Sequence, residues 1–185
     1  MCRTLLARVG AAIVLFAGLA GATLIPGVSF ETLTDSSEIV VSGRIARSWA
    51  AWDPAHKYIW THYELITTAA LKGGAFSKVE FAEPGGELDG KIMSIAETVT
   101  YAPGENVVVF LSRMPNGYLR TTGWAQGKYS VDATGKLHAA AYGDGIMPQI
   151  GHAHGTPLAT LEGISISELR QRVGARIRTA GGRAQ

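Results

Sequence analysis

The chain holds one cysteine, Cys2, in 185 residues. No intrachain disulfide can form, and a cysteine-rich metal or redox centre is excluded. Acidic residues are missing from the first 22 positions, where Arg3 and Arg8 precede an apolar core, Ala11 to Leu19. That core is too short for a spanning helix. With Ala20-Gly21-Ala22 behind it in the A-x-A pattern, it reads as a signal peptide over 1–22. Cleavage would remove Cys2, leaving Thr23 to Gln185 secreted or periplasmic with no membrane span. A lipid anchor would need a cysteine after the apolar core, and none stands there.

An excess of either charge is also missing. Without Arg3 and Arg8 the 17 basic residues fall to 15, equal to the 15 acids. A nucleic-acid partner is therefore not expected. The charges are unevenly spread, with Arg170, Arg172, Arg176, Arg178 and Arg183 facing only Glu162 and Glu168 near the end. No internal repeat is evident. The length suits one domain able to bury a core without staples.

What is present is a series of short β-type runs. Pro26 to Ser37 predicts a short opening helix with Ser29 as N-cap and Phe30 and Leu33 on one face. Ile39, Val40, Val41 and Ile45 follow as a strand, with a bulge or bend at Gly43, running on towards Trp49 and Trp52. After a turn at Asp53-Pro54-Ala55-His56, Tyr58 to Leu71 is a second strand. In it Ile59, Thr61, Tyr63, Leu65 and Thr67 alternate with Tyr58, Trp60, His62, Glu64 and Ile66. Val79 to Ala82 is a third strand, stopped by Pro84-Gly85-Gly86, and Ile92 to Tyr101 a fourth. Val107 to Leu111 is the most apolar and is expected at the centre. Asn116-Gly117 turns the chain into Tyr118 to Gly123, and Lys128 to Val131 pairs with Leu137 to Ala141.

This spacing predicts a mainly β fold, a barrel or sandwich, over 23–141. A Gly/His/Pro loop over 142–165 follows, then a C-terminal helix and tail over 166–185. In the helix, Leu169, Val173 and Ile177 share a face.

Several blocks resemble the netrin-like domains, the group that includes the tissue inhibitors of metalloproteinases. Ser36-Ser37-Glu38-Ile39-Val40-Val41-Ser42-Gly43-Arg44-Ile45 resembles their opening strand. Ala69-Ala70-Leu71-Lys72-Gly73 resembles the end of their second strand. Pro103-Gly104-Glu105 with Val107-Val108-Val109-Phe110-Leu111 resembles their "G-E-x-Y-L-L-F" strand. The blocks resemble uncharacterised exported bacterial proteins more closely, through Glu83-Pro84-Gly85-Gly86 and Gln126-Gly127-Lys128-Tyr129. The resemblance covers about Glu38 to Val131 and implies a five-stranded OB-type barrel with added helices. Inhibition in that family uses an N-terminal cysteine that chelates zinc. Thr23 stands there instead, so that mechanism does not carry over.

Three groups of residues offer chemistry. Trp49, Trp52, Trp60 and Tyr58 flank one turn and either stack on a ligand such as a sugar or cap the core; packing is favoured, because aromatics dominate core burial. His152 and His154 in Gly151-His152-Ala153-His154-Gly155 lie two apart, so an extended segment points both at one divalent metal. A third ligand would come from His138, Asp144 or Glu162; two histidines alone fall short of a tight site, and a solvated loop is the simpler reading. Glu83, Glu87 and Asp89 could pair or hold calcium, but read first as solvated turn residues. Ser42 and Ser94 lack a nucleophile-elbow pattern. The sequence thus points to an exported non-catalytic binding module for a protein or glycan, with no cofactor. The alternative is a metal-binding or metal-dependent hydrolytic protein built on His152 and His154.

Overall fold

The computed structural model describes residues 24–96, 98–140, 147–149 and 158–182. The expected leader, including Cys2, lies outside them, as does much of the 142–165 loop. The chain runs through β1 (Leu24–Pro26), α1 (Phe30–Ser36), β2 (Ile39–Trp52), β3 (Ile59–Lys72), β4 (Lys78–Pro84) and the short pair β5 (Gly86–Leu88) and β6 (Lys91–Met93). It continues through β7 (Asn106–Arg113), β8 (Leu119–Thr121), β9 (Lys128–Val131), β10 (Leu137–Ala139), β11 (Met147–Gln149) and α2 (Ile166–Gly181).

Seven strands form one antiparallel sheet in the order β10-β9-β7-β2-β3-β4, with β8 also paired to β7. The apolar run predicted at the centre is β7, with β2 along one edge and β9 and β8 along the other. Its side chains alternate between two cores. Val107, Val109 and Leu111 join Ile45, Leu65, Phe81 and Leu119 in the first. Val108 and Phe110 join Leu33, Leu137, Leu169 and Val173 in the second, under the helices.

The first core draws on β2, β3, β4, β7 and β8 together, so the sheet curls until its far strands share one interior. Main-chain pairing nevertheless stops short of closure: no ladder joins β4 to β8 among the described residues. Where a closed five-stranded barrel was expected, the described chain forms an open, curled sheet of seven strands. At the gap, the Thr121 N–H donates to the Glu83 carboxylate at 2.8 Å instead of a strand carbonyl. Arg120 Nε donates to the other oxygen at 3.0 Å, and its guanidinium lies 3.5 Å from the centre of the Trp124 ring. Glu83 is fully buried, not a solvated turn residue. Burial pushes its carboxyl above the ordinary range, against the hydrogen bonds from Thr121 and the charge of Arg120.

The bend expected at Gly43 is a register shift between Ser42 and Gly43. A side chain there would place its Cβ 2.2 Å from the Ile66 carbonyl oxygen, so close strand approach requires glycine. Both helices begin on serine caps: Ser29 Oγ accepts from Thr32 N–H at 3.1 Å, and Ser165 Oγ from Glu168 N–H at 3.2 Å. Leu169 and Val173, on the face expected to be apolar, are fully buried, but Ile177 on the same face is 41% exposed. The predicted fourth strand shrinks to Lys91–Met93. Val99 and Tyr101 still enter the first core, carried by irregular chain.

Candidate functional site

α1 and α2 cover only part of the outer sheet face. The β2–β3 register sets Trp49 opposite His62 and Ala51 opposite Trp60, so these side chains share the outer face beyond the helices. The Trp49 and His62 rings stack with centroids 5.4 Å apart, and the Arg47 guanidinium lies 4.5 Å from the Trp49 centroid. Tyr118, from the β7–β8 turn, meets His62 and Trp60 edge-on, each at 5.2 Å. Ala82 pairs with His62 across β3–β4, and its small side chain leaves space for that reach. The result is an aromatic row, Trp49–His62–Tyr118–Trp60, partly open to solvent.

Charges frame the row. Glu64 accepts from Arg47 and Lys78, each at 3.1 Å, and these cations hold its carboxyl below the ordinary range. Glu80 Oε1 lies 3.3 Å from His62 Nδ1. Arg113 donates through Nη2 and Nε to the two Glu38 oxygens at 2.7 and 3.0 Å, and through Nη1 to the Gly117 carbonyl at 3.0 Å. That pairing lowers the Glu38 pKa and raises that of Arg113. Between Glu80, Arg113, His62 and Tyr118 lies a cleft of about 160 Å³. The Trp60 Nε1 donor is buried with no hydrogen-bond partner among the described residues.

The four aromatics singled out from sequence do not form one patch. Trp49 and Trp60 belong to the row. Trp52 pairs with Ile59 and so faces the other side, where it stacks on His56 at 6.2 Å with Lys91 Nζ 5.3 Å away. Tyr58, 44% exposed, has Lys57 5.0 Å from its ring centre. Sequence reading missed His62, Tyr118, Glu80 and Arg113 as site residues. The β3 alternation did place His62 with Trp60; only the folded register brings Tyr118 and Arg113 beside them.

His152 and His154 lie outside the described residues, as does Asp144. Of the proposed third ligands, His138 uses both ring nitrogens: Nδ1 with Glu162 at 2.7 Å and Nε2 with Asp132 at 2.9 Å. The two carboxylates approach opposite sides of the ring and do not converge. Among the described residues no group of three or more histidines and acids is arranged to hold a metal. These bonds raise the His138 pKa and lower that of Asp132, while the Ala139 N–H, donating at 2.8 Å, and then His138 lower that of Glu162.

Compared with known proteins, the chain matches no family model, no curated protein and no solved structure.

Proposed function

We propose that the protein is an exported, non-catalytic binding module that engages a protein or glycan through the uncovered outer face of β2, β3 and β4. Export rests on the leader-like first 22 residues. The observation that carries the binding role is the Trp49–His62–Tyr118–Trp60 row, left partly open where the helices stop covering the sheet. Large aromatics, with the Arg47 cation over Trp49, suit recognition, giving contact area at low entropic cost. In the same reading the sheet is OB-type and netrin-like, supported by its curl around one core and by the β4–β8 approach at Glu83.

Affinity capture from cell envelope and medium with tagged Thr23–Gln185 tests this role. The expected result is one specific species retained by the parent and by Ile92→Ala, which alters a 77% exposed residue off the row. Trp49→Ala and Tyr118→Ala should release it. Retention unchanged in both row variants, or no specific retention at all, refutes the assignment.

A further inference from the structure

The cleft beside the aromatic row has the size and polarity of a site for a single ring. At about 160 Å³ it is well below the roughly 300–1,000 Å³ of sites for drug-sized ligands. The opposite charges at its mouth, Glu80 and Arg113, are 56% and 50% exposed. Glu38 already neutralises Arg113, so with the Glu80 carboxylate beside it the cleft disfavours an anion. It suits a neutral ligand whose groups both donate and accept, as hydroxyls do. Each group is held in place yet keeps bonding capacity. Among the described residues, His62 engages one Glu80 oxygen and leaves Oε2 open, while Glu38 and Gly117 fix Arg113 and leave guanidinium hydrogens unused. The His62 side chain is nine-tenths buried, and among the described residues its Nε2 makes no hydrogen bond. The Tyr118 ring supplies an apolar wall.

An extended peptide fits this place poorly. Glu83 ties β4 to β8 through the Thr121 N–H, so the gap is too narrow for an added strand. We propose that the cleft is a subsite for one neutral sugar ring, an uncharged hexose or N-acetylhexosamine at the end of a glycan. The proposal rests on the binding role assigned to this face and names its ligand class.

Titration of the purified chain with glucose, galactose, mannose and N-acetylglucosamine, followed by amide NMR, tests it. At least one sugar should give saturable shifts at Ala82 and Tyr118, with the millimolar Kd of a single-ring site. Glu80→Gln, an exposed change that leaves the fold intact, should weaken binding about tenfold by losing a charge-assisted hydrogen bond. Tyr118→Ala should weaken it at least as much, and Ile92→Ala should leave it unchanged. Absence of saturation with all four sugars overturns the proposal, as do shifts indifferent to both cleft variants. If the sugars fail while row-dependent capture of a protein persists, the binding role stands and the ligand class falls. If both fail, the face has no such role.

Discussion

Replacing Glu83 with alanine should be among the most damaging single changes to this fold. The carboxylate is fully buried and serves two donors across the β4–β8 gap, Thr121 N–H at 2.8 Å and Arg120 Nε at 3.0 Å. Alanine leaves a guanidinium that is only 13% exposed without its counter-charge, and its Nη2 already lacks a hydrogen-bond partner among the described residues. Removing one member of a buried pair costs about 3–5 kcal/mol, because the other charge stays buried. The stranded Thr121 N–H lies within that loss. The contact of Arg120 with Trp124 persists and places the expected value near the lower end. For a domain of this size such a loss lowers Tm by roughly 10 °C. Urea denaturation of parent, Glu83→Ala and the double variant Glu83→Leu with Arg120→Leu separates the terms. The double variant should recover most of the stability, since apolar replacement of a buried pair is close to neutral. A loss under about 1 kcal/mol for Glu83→Ala would show that the carboxylate does not hold the gap closed. A double variant no better than Glu83→Ala would refute the stranded-charge account and place the loss in the bond from the Thr121 N–H.

Two further outcomes are expected. Gly43→Ala should destabilise by at least about 2 kcal/mol in the same assay, because the added methyl meets the Ile66 carbonyl at 2.2 Å and strand separation is the only relief; parent-like stability would mean that the bulge can relax. His138 should titrate above its ordinary 6.5 by NMR and move down in Asp132→Asn. Its raised pKa means that its contribution is full below about 6.5 and fades as pH rises through the folded value. The lowered pKa values of Asp132 and Glu162 act in the opposite sense, their contributions fading as pH falls through the folded values. The stability difference between parent and His138→Ala should therefore be largest between about pH 4.5 and 6.5. A difference that grows above neutrality contradicts this charge assignment.

Much of the fold was legible in sequence because local rules decided it. The β-branched runs of β2 and β7, the alternation of β3, the serine caps and the Asn116-Gly117 turn all specify their structures with neighbours close along the chain. The gap left between β4 and β8 and the burial of Glu83 were not legible. Both depend on β8 returning to β4, a contact between Glu83 and Thr121 that no local pattern encodes. Val99 and Tyr101 misled in the opposite direction, since apolar side chains signal burial but not the ladder that would make a strand. The site divides the same way. Alternation placed Trp60 with His62, whereas Tyr118 and Arg113 join them through a turn more than fifty residues away.

The alternation of β7 between two interiors has a mechanical consequence. Val107, Val109 and Leu111 brace the curled sheet while Val108 and Phe110 brace the helical layer. One backbone is thus a party wall, and neither compartment can loosen without shifting the other's lining. The helices should not peel away as a separate unit on heating. Sheet and helical layer should melt in a single transition, with the geometry of the aromatic row dependent on how the helices pack.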